Sequence, residues 1–362
     1  MNPTHPKLGL ALLAVVLLAA CGGAAGDGAT DDPADAAGGD LVVQYDCIPN
    51  YANWGGVTAL YAAATGVRVP PDMKGSSQAM AALEAERAKP QADTAYYSGA
   101  IGYEAAERGL HQPYKPAGWE KIPDALKDPD GRWWTVHTAS VALVVNTAAL
   151  AVVDPELAPP RSWADLLDPR YRGLVAYDDP TWGGTSYTFV YGVNVLMGGT
   201  KNDFGPGLDY LARLDANVHS YPRESIYNDV LRGEIPIWIN ADGQGYKMKH
   251  VDGGPVEVVI PAEGSVAMPL VMGMVAGAPR PRATRAYLDW LLTPPAQGEF
   301  ARAYFRPVVD GSMPAEVAAN FLPEEDYARV RELPLAEMAG AADALKRAWQ
   351  ERIRRGAAGG AG

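Results

Sequence analysis

Val141-Ala142-Leu143-Val144-Val145 is the stretch that decides the fold. It lies within residues 139–146, an almost unbroken apolar run, and a strand without polar alternation is one buried on both faces. Such a strand belongs at the centre of a layered α/β structure, and the flanking chain agrees. Upstream, residues 41–43 open as a strand, Ser76 or Ser77 caps a helix through Met80, Leu83 and Arg87 that ends before Pro90, and residues 92–97 form the next strand. Downstream, Ser162 caps a short helix through Leu167, and residues 174–177 are a strand. Helices are expected at 184–197, 204–214 and 225–232, strands at 236–240 and 256–260, and further helices at 282–292 and 296–304. The last helix carries Ala342, Leu345, Trp349 and Ile353 on one face. The class is α/β, and no internal repeat is found.

With 362 residues, 48% apolar, 20% charged and 9% aromatic, the chain is a globular protein of two domains or two lobes, and whole-chain disorder is excluded. Its 31 Lys and Arg against 43 Asp and Glu leave a net charge of −12, and no basic run outside the extreme C-terminus offers a nucleic-acid surface. Near the start, Lys7 precedes the apolar residues 8–20. At about 1.5 Å per residue this run reaches roughly 20 Å, short of a ~30 Å hydrocarbon core, which reads as an export signal and not a membrane span. Leu18-Ala19-Ala20-Cys21 resembles the bacterial lipobox, which implies lipidation at Cys21. Residues 22–40, almost entirely Gly, Ala and Asp, are a flexible tether, and residues 356–362 a disordered tail. With Cys21 lipidated, Cys47 is the remaining thiol and no intramolecular disulfide is expected.

Several consecutive landmarks then carry a family resemblance. They are Gly75-Ser76-Ser77, Pro90-Gln91-Ala92-Asp93, Asp128-Pro129-Asp130-Gly131 before Trp133, and Val145-Asn146-Thr147. The most specific is Ser162-Trp163-Ala164-Asp165-Leu166-Leu167-Asp168-Pro169 followed by Tyr171-Arg172-Gly173; Gly233-Glu234, Ile260-Pro261-Ala262-Glu263-Gly264 and Ala286-Tyr287-Leu288-Asp289-Trp290-Leu291-Leu292 come after it. In this order the chain from 41 to about 353 resembles the substrate-binding lipoproteins of bacterial ABC importers, in the branch that carries iron, phosphonates, sugar phosphates, thiamine and polyamines. The resemblance implies the type II periplasmic-binding-protein fold, with two α/β lobes joined by crossing segments near 136–143 and 265–274. Lobe I would be 41–140 with 268–355, and lobe II 141–267. It further implies a monomer that is exported, anchored at the outer face of the cytoplasmic membrane, partnered by an ABC permease, and without a cofactor, a metal site or catalytic residues.

Loops at the carboxyl ends of strands should line the cleft between such lobes. In Tyr45-Asp46-Cys47-Ile48-Pro49-Asn50-Tyr51-Ala52-Asn53-Trp54, Asp46 or Asn53 orients a ligand and Trp54 packs on it, unless the aromatics cover the lobe's own core. Ser76 and Ser77 stand at a helix start whose free N–H groups suit an anion. In Tyr96-Tyr97-Ser98-Gly99 only one phenol should face the cleft, and Tyr97 is the candidate. In lobe II, the stretch Asp179-Pro180-Thr181-Trp182-Gly183-Gly184-Thr185-Ser186 is the strongest candidate, with Asp179, Thr181, Trp182, Thr185 and Ser186 as contacts. Glu224 and, from Asn240-Ala241-Asp242-Gly243-Gln244-Gly245-Tyr246, Asp242 and Tyr246 complete the set.

Ferric binders of this branch use adjacent tyrosines where Gly245-Tyr246 stands, so one phenolate is missing here. Two hydroxyl-rich helix starts suit a phosphonate or phosphate, and the acidic and aromatic loops suit a cation. An aminoalkylphosphonate uses both and is preferred, with polyamine, thiamine and ferric ion as alternatives. A thiaminase-like enzyme of similar two-lobed build would use Cys47 as nucleophile, but no other catalytic motif accompanies it.

Overall fold

The computed structural model describes residues 39–354. The leader, Cys21, the tether before residue 39 and the tail from 355 lie outside the described residues. The apolar run is the core of a strand, Trp134–Asn146, buried along its whole length except at Thr138. Burying each of its large aliphatic side chains contributes roughly 1.5–3 kcal/mol. Its first half runs antiparallel to Ser265–Val275, Trp134 opposite Met272 and Ser140 opposite Ala267. From Val141 it changes neighbours, and lies opposite Ile237–Ala241 on one side and Val256–Val259 on the other. One strand therefore serves two lobes, which is why its apolar character continues past the length a single small sheet would need.

The strand order is Gln44–Tyr45, Thr94–Ser98, Ser265–Val275, Trp134–Asn146, Ile237–Ala241, Val175–Ala176 and Val218–Ser220. Pairs inside each lobe such as Gln44–Tyr45 with Thr94–Ser98 and Val175–Ala176 with Ile237–Ala241 are parallel, whereas the two crossing strands are antiparallel to each other. The result is the two-lobed α/β architecture with crossing strands between the lobes. Parallel pairing places the C-terminal ends of the strands of each lobe, with the helix starts that follow, along the line where the lobes meet.

Local departures from expectation have identifiable causes. Residue 54 opens a helix, Trp54–Thr65, hidden from a pattern search because its two glycines and four alanines leave little amphipathic contrast. A further helix, Asp242–His250, begins where a loop was expected and carries buried Gly243 and Gly245. The run at 41–43 precedes the actual strand Gln44–Tyr45, and Ser162 leads into tight turns at Asp165–Leu167 and Pro169–Tyr171. Residues 313–331, expected with lobe I, pack on lobe II: Val317 shares a cluster with Ala142, Tyr246, Val258 and Ile260, and Tyr327 packs against it. The last helix, Leu335–Trp349, lies against both Gly99–Glu107 of lobe I and Gly184–Leu196 of lobe II.

Candidate functional site

Between the lobes lies a narrow cavity of about 40 Å³. Lobe I contributes Asp46, Ile48, Tyr51, Gly75, Ser76, Tyr96, Ser98 and Leu270; lobe II contributes Asp178, Trp182, Gly183, Gly184, Thr185, Ser225, Trp238 and Asn240. The lobes touch around it. Tyr51 Oη and Thr185 Oγ1 are 3.0 Å apart, and Ser225 Oγ donates to Asn50 Oδ1 at 3.4 Å. Tyr51 reaches across because its loop is sharply turned, with Asp46, Ala52 and Asn53 at φ 57°, 49° and 58°. Asp and Asn tolerate this left-handed region, but at Ala52 it costs about 1–2 kcal/mol.

Three helix N-termini converge on one wall, those of Ser76–Ala85, Gly99–Glu107 and Gly184–Leu196. Their closeness is set by glycine: a Cβ on Gly184 would fall 2.2 Å from Ser98 Oγ and 2.8 Å from Ser76 Oγ, and one on Gly75 would meet the Trp182 carbonyl at 2.5 Å. Ser76 Oγ receives the Ser98 N–H at 3.2 Å and donates to Asp46 Oδ2 at 2.8 Å. Ser98 Oγ is buried and has no protein partner. Free N–H groups and the positive ends of helix dipoles at one point make a cradle for negative charge.

The cavity also holds two carboxylates. Burial pushes Asp46 well above the usual carboxylate range, against the Ser76 hydrogen bond and with Asp72 adding to the rise. Burial likewise raises Asp178 to about 7, although Trp238 Nε1 at 3.2 Å and Asn240 Nδ2 at 3.3 Å donate to it. Among the described residues no Lys, Arg or His lines the cavity.

Of the residues singled out from sequence, Asp46, Ser76, Trp182 and Thr185 stand on the cavity wall. The others are placed elsewhere, each for a local reason. Asn53 starts its helix and donates to Glu299 Oε2 at 3.0 Å, and Trp54 is fully buried, edge-on to Tyr96 and Phe300. Ser77 accepts from Lys346 Nζ at 2.9 Å. Tyr97 points to the opposite face, where it meets His111 Nε2 at 3.1 Å, and its neighbour Tyr96 takes the wall. Asp179 holds the N–H and hydroxyl of Thr181 at 2.8 and 2.6 Å, so both are consumed in one turn. Ser186 Oγ donates to the Gly183 carbonyl at 3.0 Å, and Glu224 is exposed beside the lining Ser225.

Asp242 is a structural pivot and not a cavity residue. It is fully buried; Oδ1 accepts from Ser140 N and Gly243 N at 2.9 Å each, and Oδ2 from Arg306 Nη2 at 2.8 Å and Tyr327 Oη at 3.0 Å. Ser140 is where the crossing strand changes lobes. Tyr246 bonds Tyr327 Oη and the Leu322 N–H, so the position matched to the iron-binding tyrosines lies off the cavity wall. Cys47 is 1% exposed, and burial, with Asp46 and Asp72, raises its thiol far above the ordinary value, the wrong direction for a nucleophile.

Sequence reasoning missed Tyr51, Ser98, Asp178, Trp238 and Asn240 as wall residues. One signal was available for the choice between the two aspartates: Asp179-Pro180-Thr181 is a turn-forming pattern that uses up its own carboxylate, which leaves Asp178 for the cavity.

Residues 90–332 match the model of a protein family described as bacterial extracellular solute-binding protein. The chain belongs to that family. This solute-binding protein is 31% identical over 231 residues to an uncharacterized protein of Haemophilus influenzae, a match over 62% of this chain and 64% of that one. It is 27% identical to a sulfate-binding protein of Synechocystis over 62% and 59% of the two chains. To a Salmonella paratyphi A periplasmic protein whose name proposes 2-aminoethylphosphonate as ligand it is 26% identical, over 65% and 67%. The match thus spans less than two thirds of the first two of these relatives. Among solved structures, the periplasmic binding protein AfuA of Actinobacillus pleuropneumoniae, with fructose-6-phosphate bound, superposes with a TM-score of 0.73 at 21% identity, over 87% of this chain and 98% of that one. The fold is that of the type II periplasmic binding proteins.

Proposed function

We propose that this chain is the solute-binding component of an ABC importer, lipid-anchored through Cys21, that closes its lobes on a small phosphonate or phosphate ester bearing an amine. An aminoalkylphosphonate is the type, and a permease of the cytoplasmic membrane is the partner that receives it. The observation that carries this reading is the pairing, at one narrow cavity between the lobes, of three converging helix N-termini with two buried carboxylates. The N–H groups of the helix starts and the hydroxyls of Ser98 and Thr185 suit a phosphonate, and Asp178 beside them suits an ammonium. Trp182, Trp238 and Tyr51 exclude water from the chain between them. A second reading, a diamine such as putrescine, is favoured by the two carboxylates alone.

Thermal shift with 2-aminoethylphosphonate, inorganic phosphate, putrescine and thiamine tests the proposal, because a ligand at 100 times its Kd adds about 2.7 kcal/mol. Mass spectrometry of molecules released by denaturing protein from its own cells gives the independent identification. Stabilisation by 2-aminoethylphosphonate above all others is expected. Stabilisation by putrescine alone overturns the phosphonate and leaves the diamine.

A further inference from the structure

Lys346 lies on the C-terminal helix Leu335–Trp349, outside the cavity wall, and its ammonium reaches the start of a helix that contributes to that wall. Its Nζ donates to Ser77 Oγ at 2.9 Å, next to the wall residue Ser76, and stands 5.1 Å from the centre of the Tyr187 ring, two residues past Thr185. It therefore touches the first turns of two of the three helices that form the cradle, one from each lobe.

This is an awkward position for a cation. Helix N-termini carry partial positive charge, and a half-buried lysine normally has a carboxylate beside it. Lys346 has none within 4 Å among the described residues: of the nearby acids, Glu104 is bonded to Arg108 at 2.5 Å and Asp343 lies 3.7 Å from the same guanidinium. Of the wall carboxylates, Asp46 is held toward its neutral form by burial. Burial also draws the Lys346 ammonium below the ordinary lysine range, opposed by Glu104, Asp343 and Asp179. Three helix N-termini and the buried, partnerless hydroxyl of Ser98 thus lie beside a cation that has no ion-pair partner within 4 Å among the described residues.

We propose that Lys346 is the specificity-determining charge of the cleft: it makes the cradle select an anionic group although the wall itself holds only carboxylates, and it ties anion binding to the closed arrangement of lobes and C-terminal helix. The inference rests on the phosphonate reading above. A charge at this range in a partly buried site is expected to change anion affinity by about tenfold or more. It acts through space on the cradle without entering the cavity.

The test is titration calorimetry of wild type, Lys346→Gln and Lys346→Arg with 2-aminoethylphosphonate, inorganic phosphate and putrescine. Lys346→Gln removes the charge and keeps a side-chain N–H donor, at the loss of one methylene. Expected is a loss of at least tenfold for the two phosphorus probes, a putrescine affinity unchanged or raised, and recovery with arginine. Equal loss for anions and putrescine would make Lys346 a packing residue, and full retention of anion binding in Lys346→Gln would overturn the charge role; either result sinks the inference while leaving the phosphonate reading intact. If the wild type binds putrescine and neither anion, the phosphonate reading fails. The Lys346 assignment then stands only if Lys346→Gln raises putrescine affinity about tenfold, and falls if that affinity is unchanged.

Discussion

Asp178 and Asp242 both follow strands of lobe II, Val175–Ala176 and Ile237–Ala241, and both are buried, yet they do opposite work. Asp242 accepts hydrogen bonds on both oxygens from a guanidinium, a phenol and two backbone N–H groups, and the donors come from both sides of the lobe crossing. Asp178 has two neutral donors beyond 3 Å and no cation, and its remaining lone pairs open into the cavity. A buried carboxylate with its partners supplied is part of the frame; one left short of partners is a place for a ligand. Residue type and strand-end position are the same in both, so partner count separates them.

The largest effect expected from breaking this comparison is at the pivot. Asp242→Asn removes the charge paired with Arg306 and should cost roughly 3–5 kcal/mol in urea unfolding, since a buried cation loses its counter-charge. A loss under about 1 kcal/mol would show that the crossing is held without it.

Asp178→Asn should behave in the reverse sense. Asp178 titrates at about 7 in the folded protein against an ordinary 3.8, so the stability it contributes is present below pH 4 and is lost as pH rises through about 7. The unliganded variant should therefore gain on the wild type between pH 5 and pH 8, by something on the order of 2–4 kcal/mol. Its affinity for 2-aminoethylphosphonate should fall about tenfold, whereas wild-type affinity should rise from pH 6 to pH 8 as the carboxylate ionises. A pH-independent difference in melting temperature would mean that Asp178 is charged throughout.

A smaller pair of changes separates wall from frame within one helix start. Thr185→Val removes a hydroxyl that bridges to Tyr51 and faces the cavity, and should weaken binding several-fold to tenfold, about 1 kcal/mol or a little more. Ser186→Ala removes a bond inside its own turn and should lower stability by about 1 kcal/mol with affinity unchanged. Calorimetry and thermal melts on the two variants read this directly; equal affinity losses would merge the two roles. The smallest effect is expected for Tyr97→Phe, less than twofold in affinity, because its hydroxyl serves His111 on the far face.

The path of the main chain was legible in the sequence because it depends on local and summed quantities. The central strand followed from five consecutive apolar residues, the helices at 76–85, 184–196 and 281–291 from capping residues, glycines and apolar spacing, and the two crossings from the resemblance. The helices at 54–65 and 242–250 were not legible, since helices rich in glycine and alanine, or apolar on no single face, acquire their order from what packs around them.

The wall of the cleft divides in the same way. Small residues at helix starts are visible in sequence, because an uncapped N-terminus has the same need for acceptors wherever it occurs, and Ser76 and Thr185 were found on that ground. Whether Tyr96 or Tyr97 faces the ligand, whether Asp178 or Asp179 is free, and whether Asp242 is a contact or a pivot depend on donors that arrive from elsewhere in the chain: His111, Thr181, Arg306 and Tyr327. The sequence by itself determined an α/β protein with paired hydroxyl-rich helix starts. Only the tertiary structure decided which polar groups are already satisfied, because hydrogen-bond and charge partners are matched across space and the local pattern carries no record of them.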